Sequence, residues 1–175
     1  MLISTDLENA INQQIGNEFH AKLRYTNTAA YFDAEELPQL AGFFYRQAQD
    51  EDMHAMKFVH YLVDAGGRVH IPAIGQPMED IESAEHAAQL ALDWEMENTR
   101  QINKLMDLSI EKNDHITQDF LRWFETEQLE EVSTMQTLQK TIQRANGSLL
   151  LVEEFLVNNP LGNQQVSTAS AAAAA

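Results

Sequence analysis

The residues best suited to chemistry stand in the middle of a helical pattern that should face a protein core. Seven residues from Leu40 to Tyr61 recur at alternating steps of four and three, the spacing of one face of an amphipathic helix. Most of them are apolar or aromatic, but Glu51 and His54 stand at the centre of the face. Residues three apart on a helix are neighbours, and both side chains can bind a metal ion. The face therefore presents a pair of candidate ligands where packing residues are expected.

Four long helical patterns share this feature. Each has a glutamate on its inward face, and these are Glu18, Glu51, Glu95 and Glu131. The spacing repeats, because Glu18 and Glu51 are 33 positions apart and so are Glu95 and Gln128. Each candidate in the first half of the chain has a polar counterpart 77 positions later: Glu18 matches Glu95, Glu51 matches Gln128, and His54 matches Glu131. This agreement in register predicts that the side chains meet at one level of a helical bundle.

Burying these carboxylates together requires cations. An unpaired buried carboxylate costs several kcal/mol, and like charges at one site raise that cost. Lys22 is the nearest lysine or arginine to the inward faces at this level. Since so little positive charge is available, we expect metal ions to neutralise the cluster. Oxygen ligands with one imidazole nitrogen and no sulfur favour iron or manganese over copper, and calcium is typically bound by oxygen alone.

The composition indicates a single acidic globular domain. The 175 residues include 27 acidic and 11 basic side chains, for a formal net charge of -16. Such a polyanion repels nucleic acid and anionic membranes, so neither is an expected partner. The chain has no cysteine, which excludes disulfides, thiolate zinc sites and cysteine nucleophiles. Its opening does not resemble a secretory signal and no apolar run approaches the roughly 20 residues of a membrane span, so the expected location is the cytoplasm.

Four long helices and one short helix are predicted to position the acidic cluster. They cover roughly residues 5–34, 38–65, 83–111, 116–144 and 149–157. Asp6 is the predicted N-cap of the first helix. Short links imply two antiparallel pairs, and the long extended link before residue 83 allows the chain to cross the bundle. We therefore expect an all-α four-helix bundle with one long crossover and a short fifth helix over residues 1–162, followed by a low-complexity tail at 163–175.

Several short motifs resemble those of the non-haem bacterial ferritins. They are NEFH at 17–20, EDMH at 51–54, DWE at 93–95 and QLEE at 128–131. The runs at 31–56 and 123–132 are similar to the actinobacterial iron-storage ferritins in particular, and the resemblance covers roughly residues 5–157. QLEE departs from the second Glu-x-x-His motif of other ferritin-like di-iron bundles. The resemblance implies a ferritin-like bundle with a di-iron centre.

The resemblance also implies which residues bind iron. Two iron sites would share Glu51, with Glu18, Glu51 and His54 at the first, and Glu51, Glu95 and Glu131 at the second, with Gln128 nearby. A third site would draw on Glu127, Glu130 and Asp50, the last at a position where related ferritins often have glutamate. Tyr25 would hydrogen-bond near the centre and could donate an electron. Haem is not expected, because Asp52 stands where bacterioferritins have their methionine ligand.

The function implied is that of an iron-storage ferritin. Such a protein oxidises Fe(II) to Fe(III) with O2 or H2O2 at its ferroxidase centre and stores a ferric mineral in a homo-oligomeric shell of twenty-four subunits. The alternatives are a free-standing di-iron enzyme and a purely structural bundle. The lack of cysteine argues against rubrerythrin-type peroxidases, and a structural bundle leaves the acidic cluster unexplained. The other five histidines, His20 among them, have no partner at ligand spacing and are predicted surface residues.

Overall fold

The computed structural model of the protein describes residues 2–77 and 80–162, and it confirms the predicted all-α bundle. The helices are α1 (Thr5–Ala34), α2 (Pro38–Asp64), α3 (Ala84–Glu111), α4 (His115–Ala145) and α5 (Leu149–Asn158). α1 packs along α2, α3 packs along α4, and α5 contacts α2 and α4. None of the described helices is both long and apolar enough to cross a membrane. The predicted tail at 163–175 lies outside the described residues, so the domain boundary at residue 162 stays a prediction.

The long connection between α2 and α3 is held against α1 at its beginning. The Asn12 side chain donates a hydrogen bond to the Arg68 carbonyl at 2.8 Å and accepts one from the His70 backbone N–H at 2.6 Å. Farther along, a Cβ atom at Gly16 would lie 2.5 Å from Cγ of Pro72, so glycine lets the connection pass this close to α1. These contacts keep the crossover on the bundle as the chain moves to its second helix pair.

The start of α1 corrects one prediction from the sequence. Asp6 is not the N-cap; Ser4 is, and its Oγ accepts a hydrogen bond from the Leu7 backbone N–H at 3.4 Å. Ser4 has an extended backbone, as a capping residue requires, whereas Asp6 already lies in the first helical turn. A carboxylate in that turn still interacts favourably with the positive end of the helix dipole. Both side chains suit a helix start, and the backbone conformation decides which one caps it.

α2 receives its cap from α5 instead of from its own sequence. Its N-cap residue is Leu37, which makes no side-chain capping hydrogen bond. The Glu153 carboxylate accepts hydrogen bonds from the backbone N–H groups of Gln39 and Leu40, both at 2.9 Å. An anion at this position also interacts with the positive end of the helix. Glu153 thus ties α5 to the beginning of α2.

We expect Glu153→Ala to lower the free energy of unfolding by about 0.5–2 kcal/mol, the usual effect of losing an N-cap side chain. Urea unfolding of the metal-free protein measures the change. Glu154→Ala is the matched control, because Glu154 is exposed one position further along α5. The same loss in both variants would contradict a specific capping role for Glu153.

Two apolar clusters enclose a polar layer at mid-height of the bundle. One cluster draws its buried residues from positions 25–48, 84–91 and 135–156. The other draws them from positions 3–15, 58–65, 102–105 and 121–124. The layer between them holds the buried side chains of Glu18, Glu51, His54, Glu95, Glu127, Gln128 and Glu131. The packing of the bundle therefore leaves its acidic residues together, closed off above and below by apolar side chains.

Candidate metal centre

Each of the four long helices contributes a buried carboxylate to the polar layer. Glu18 and Glu51 are each 1% exposed, Glu95 is 2% exposed, and Glu131 is 5% exposed. His54, one turn after Glu51 on α2, is also 1% exposed. Their degree of burial means that their charges must be neutralised inside the protein, because water cannot solvate them.

Two groups of three side chains are close enough together to hold a metal ion. The first group is Glu18, Glu51 and His54, and the second is His54, Glu127 and Glu131. In each group, the three side chains offer one ligand atom apiece, and these atoms lie within 4.8 Å of one another. Nδ1 of His54 lies 3.4 Å from Oε2 of Glu51, and Nε2 lies 3.9 Å from Oε1 of Glu127. The imidazole therefore stands between two sets of carboxylates. The first group is the predicted first iron site, while Glu127 approaches His54 more closely than the sequence suggested.

Several polar atoms at this point have no hydrogen-bond partner among the described residues. They are Oε2 of Glu51 and both ring nitrogens of His54, and all three are buried. Buried polar atoms in proteins nearly always have a partner. Carboxylate oxygens with an imidazole nitrogen are a donor set that suits a divalent iron or manganese ion. The unpaired atoms fit a cation placed between these side chains.

Glu95 is held by hydrogen bonds on α1 and α4. The buried Tyr25 hydroxyl donates to Oε1 of Glu95. The Gln128 side-chain amide donates to Oε2 and to the backbone carbonyl of Glu95, both at 3.2 Å, and contacts the Thr99 hydroxyl at the same distance. These donors fix the Glu95 carboxylate beside the two candidate ligand groups.

The orientation of the Gln128 amide gives this side chain a supporting role. Its nitrogen faces two oxygens of Glu95, and its own oxygen accepts from Nδ2 of Asn98 at 3.4 Å. The reverse orientation would place the amide oxygen against these acceptors and the amide nitrogen against the Asn98 donor. Gln128 therefore positions Glu95, and only its oxygen, which is engaged by Asn98, could reach a metal.

Gln14 and Asn98 are parts of the site that the sequence reasoning missed. Nε2 of Gln14 donates to Oε1 of Glu18 and to Oδ1 of Asn98, each at 2.7 Å. Nδ2 of Asn98 lies 3.4 Å from Oε2 of Glu18. Helical spacing could have indicated both residues, because Gln14 precedes Glu18 by one turn and Asn98 follows Glu95 by one turn. The two amides link α1 to α3 across the candidate centre.

The electrostatics of the layer confirm that it is short of positive charge. Burial raises the pKa of Glu18, and the Glu51 charge raises it further. Burial also raises the pKa values of Glu51 and Glu131, and in both cases the Glu95 charge adds to the effect. A hydrogen bond between Glu18 and Glu51 raises the pKa of the first and lowers that of the second, as expected for a proton held on Glu18. Without a metal, these carboxyl groups therefore retain protons to a higher pH than a solvated glutamate does.

Ion pairs do not supply the missing charge. Lys22, the nearest cation by sequence, binds Asp52 at 2.7 Å, and both side chains are more than one-third exposed. In the described part of the chain, no lysine or arginine forms an ion pair with Glu18, Glu51 or Glu95. Neutralisation must come from bound protons or from metal ions.

The three residues predicted for a third site occupy different environments. Glu127 is 9% exposed and lies beside His54, as described above. Asp50 is half-buried, and its burial raises the pKa of its carboxyl group. Glu130 is exposed. The described geometry therefore brings Glu127 to the centre and leaves Asp50 and Glu130 nearer the surface.

Replacing Asn98 with alanine tests the amide link. We expect Asn98→Ala to weaken divalent-metal binding at the centre by about 10–100-fold, the usual effect of removing a residue that orients metal ligands. The loss follows because Glu18 and Gln128 would each lose a hydrogen-bond donor. Calorimetric titration with Mn²⁺ measures the affinity, and Asn103→Ala, at an exposed position on the same helix, is the control. Unchanged affinity in Asn98→Ala would contradict this role.

Fold and site together define a class of protein, an all-α bundle that encloses a candidate carboxylate and histidine metal centre. The sequence pattern of the Ferritin-like domain family matches residues 8–145. Because this match covers most of the chain, the protein belongs to the ferritin family of iron-storage proteins. The resemblance in the short motifs is thereby confirmed.

Similar proteins agree with this assignment. Ferritin BfrB of Mycolicibacterium smegmatis is 39% identical over 154 residues, which cover 88% of this chain and 85% of that protein. The bacterial non-heme ferritin of Staphylococcus aureus is 34% identical over 136 residues, covering 78% of this chain and 82% of that protein. The open pore ferritin of the archaeon Archaeoglobus fulgidus aligns with a TM-score of 0.86 at 28% identity, over 89% of this chain and 96% of that chain.

Proposed function

We propose that this ferritin oxidises Fe(II) to Fe(III) at the buried centre, using O2 or H2O2, before storing the iron as a ferric mineral. Iron is the substrate and the cargo of this reaction. The observation that supports the proposal is the buried group of Glu18, Glu51 and His54. Among residues 2–77 and 80–162, polar atoms of this group lack hydrogen-bond partners and no lysine or arginine forms an ion pair with its carboxylates. A divalent cation would satisfy both needs at once.

Two Fe(II) ions held together supply the electrons that the oxidant needs. They can give two electrons to O2, which takes up two protons and becomes H2O2, or two electrons to H2O2, which takes up two protons and becomes two waters. The protein's part is to hold the ions close together and to manage charge. Cation binding displaces the proton that Glu18 and Glu51 share without a metal, and this proton is released to solvent.

The side chains divide this work among themselves. Glu51 shares a ligand group with Glu18 and His54, and its Oε2 lies 3.4 Å from Nδ1 of His54, so we assign it the bridging position between two ions. Tyr25 and Gln128 hydrogen-bond to the Glu95 carboxylate and hold it in place. We assign this carboxylate to the second ion. Glu131 and Glu127 approach the other side of His54 and complete the second set of ligands. We retain the prediction that Tyr25 can supply an electron, since its hydroxyl contacts a proposed ligand.

We further propose assembly into a closed shell, for which twenty-four subunits are expected from the family resemblance. α5 supports it, because Leu150, Leu151 and Val157 are 76%, 56% and 61% exposed on this short helix. Such apolar exposure on one short segment indicates a contact with another protein surface. Copies of the same chain would bury it in a symmetric oligomer.

Mixing experiments test the oxidation step directly. The metal-free protein is loaded without oxygen with about two Fe(II) ions per chain, the number that a two-metal centre holds, and is then mixed rapidly with O2. We expect the ferric absorbance to appear far faster than in a protein-free solution of the same iron concentration. Oxidation at the protein-free rate would contradict a ferroxidase centre.

A further inference from the structure

A cavity between α1 and α3 lies directly beside the proposed oxidation centre. Its volume is about 130 Å3, and a buried water needs roughly 10–15 Å3 of such space, so it has room for several small molecules. Its lining includes Asn17, His20 and Arg24 from α1, and Glu95 and Asn98 from α3. We call it the α1–α3 cavity. Through Glu95 and Asn98, the cavity touches the side chains that hold the centre.

The lining of the α1–α3 cavity suits an uncharged hydrogen-bonding molecule. Nδ2 of Asn17 donates to the Gln101 side-chain oxygen at 3.0 Å, so neutral amides bridge the two helices here. The Arg24 guanidinium, 5.2 Å from the Trp94 ring centroid, adds a positive charge that offsets the Glu95 carboxylate in the same lining. Glu97 also lines the cavity, but its carboxylate is paired with Arg100 at 2.8 Å.

The α2–α4 side of the centre has the opposite character. Asp50 on α2 and Glu127 and Glu130 on α4 lie close enough to Glu131 that, after burial, their charges help to raise the pKa of its carboxyl group. Arg46 lies near Asp50, so three acidic side chains face this side beside one basic one. A cation is attracted to such a concentration of negative charge, whereas an uncharged molecule gains nothing from it. The two sides of the centre therefore favour different reactants.

One atom in the cavity lining is unsatisfied. His20, predicted to be a surface residue, is half-buried, and its Nε2 is buried with no hydrogen-bond partner among the described residues. A small molecule that both donates and accepts hydrogen bonds could pair with this nitrogen and with the amides around it. Hydrogen peroxide has two O–H donors and four lone pairs, whereas O2 has no donor.

We propose that the α1–α3 cavity admits hydrogen peroxide to the oxidation centre, while Fe(II) reaches the centre from the α2–α4 side. This inference rests on the proposed ferroxidase function. At the centre, the O–O bond breaks as two Fe(II) ions each give up one electron, and two protons are taken up to form two waters. The two products are small and uncharged, and they can leave by the same cavity.

Filling the cavity tests this route. Ala21 lines the cavity on α1, and Ala21→Leu adds three carbon atoms to that wall. We expect the second-order rate constant for the reaction of Fe(II)-loaded protein with hydrogen peroxide to fall by a factor of about 10 or more, which corresponds to about 1.4 kcal/mol. The number of Fe(II) ions bound without oxidant should not change. Ala30→Leu, at an exposed position on the same helix, is the matched control.

A second variant tests whether the fall in rate comes only from a general disturbance of α1 and α3. His20→Leu keeps the approximate volume of the side chain but removes the unsatisfied nitrogen, so the peroxide rate constant should fall while that for O2 does not. An unchanged peroxide rate constant in both variants would overturn the proposal. An equal fall with O2 in both would also overturn it, since that pattern shows obstruction without selection for peroxide.

The wild-type protein and Ala30→Leu distinguish a failure of the proposed peroxide route from a failure of the proposed ferroxidase function. If the wild-type protein and Ala30→Leu fail to oxidise Fe(II) faster than solution, the ferroxidase proposal fails. If both oxidise Fe(II) rapidly and the two cavity variants match them with peroxide, only the proposed route fails.

Discussion

Loss of the His54 imidazole is expected to slow Fe(II) oxidation by at least about 100-fold. Replacing a residue that merely orients a metal ligand costs 10–100-fold in many metalloproteins, and removing a ligand should cost at least as much. His54 is the one nitrogen donor in both candidate ligand groups, so His54→Ala weakens each of them. Stopped-flow measurement of ferric absorbance, with Fe(II) added before O2, gives the rate.

The control for this prediction is His60→Ala. His60 is exposed and lies on the same helix, so its loss should leave the oxidation rate unchanged. The His54→Ala chain should still fold and assemble, because the apolar clusters on both sides of the polar layer are intact. Oxidation at the wild-type rate in folded His54→Ala would remove this residue from the proposed centre.

Glu51→Gln is expected to stabilise the metal-free protein while it abolishes rapid oxidation. Burial raises the pKa of Glu51, and the Glu95 charge raises it further, so the ionised side chain is unfavourable without a cation. A neutral amide of nearly the same shape removes that cost, and replacing buried ion pairs with hydrophobic residues of similar volume has stabilised proteins by about 1–4 kcal/mol. Urea unfolding of the metal-free chain measures the gain.

The opposite response to metal makes this prediction specific. Divalent cations should raise the unfolding midpoint of the wild-type protein much more than that of Glu51→Gln. The reason is that the neutral glutamine amide lacks the negative charge with which a carboxylate binds two cations. Glu125→Gln on α4 is the control, since Glu125 is exposed and its neutralisation should change neither quantity greatly. A Glu51→Gln protein less stable than wild type without metal would contradict the electrostatic account.

The same groups predict how pH acts on the metal-free protein. Burial raises the pKa values of Glu18, Glu51 and Glu131 above the value of about 4.3 for an unfolded glutamate. The folded protein therefore binds protons that the unfolded chain has released, so stability falls as pH rises from about 4.3 through the raised pKa values. We expect the melting temperature of the wild type to fall more steeply than that of Glu51→Gln as the pH rises above about 4.3. Equal slopes would show that these carboxyl groups do not control the response.

The sequence predicted the helices and the level at which their polar residues meet because both depend on periodic spacing. The alternating steps of four and three around Glu51 and His54 define one face of α2, and the repeated separation of 33 positions aligns that face with the other helices. Apolar residues above and below this level then have nowhere to pack except against one another. The fold and the burial of the acidic residues follow from that pattern.

Contacts that depend on side-chain orientation between distant segments were not predictable in this way. Glu153 caps α2 across more than one hundred residues of sequence, and Gln14 meets Asn98 from another helix. The amide of Gln128 could face a metal or Glu95, and only its neighbours decide between them. The N-cap of α1 shows the same limit locally, because two residues two positions apart both have capping side chains.

Aerobic loading with a large excess of Fe(II) tests the central claim most directly. The loaded protein is separated by size-exclusion chromatography, and iron and protein are quantified in every fraction. We predict iron far above about two ions per chain, the content of a two-metal centre, eluting together with a large particle. Iron near about two ions per chain on a small species would contradict storage in a shell and would indicate a discrete di-iron oxidase.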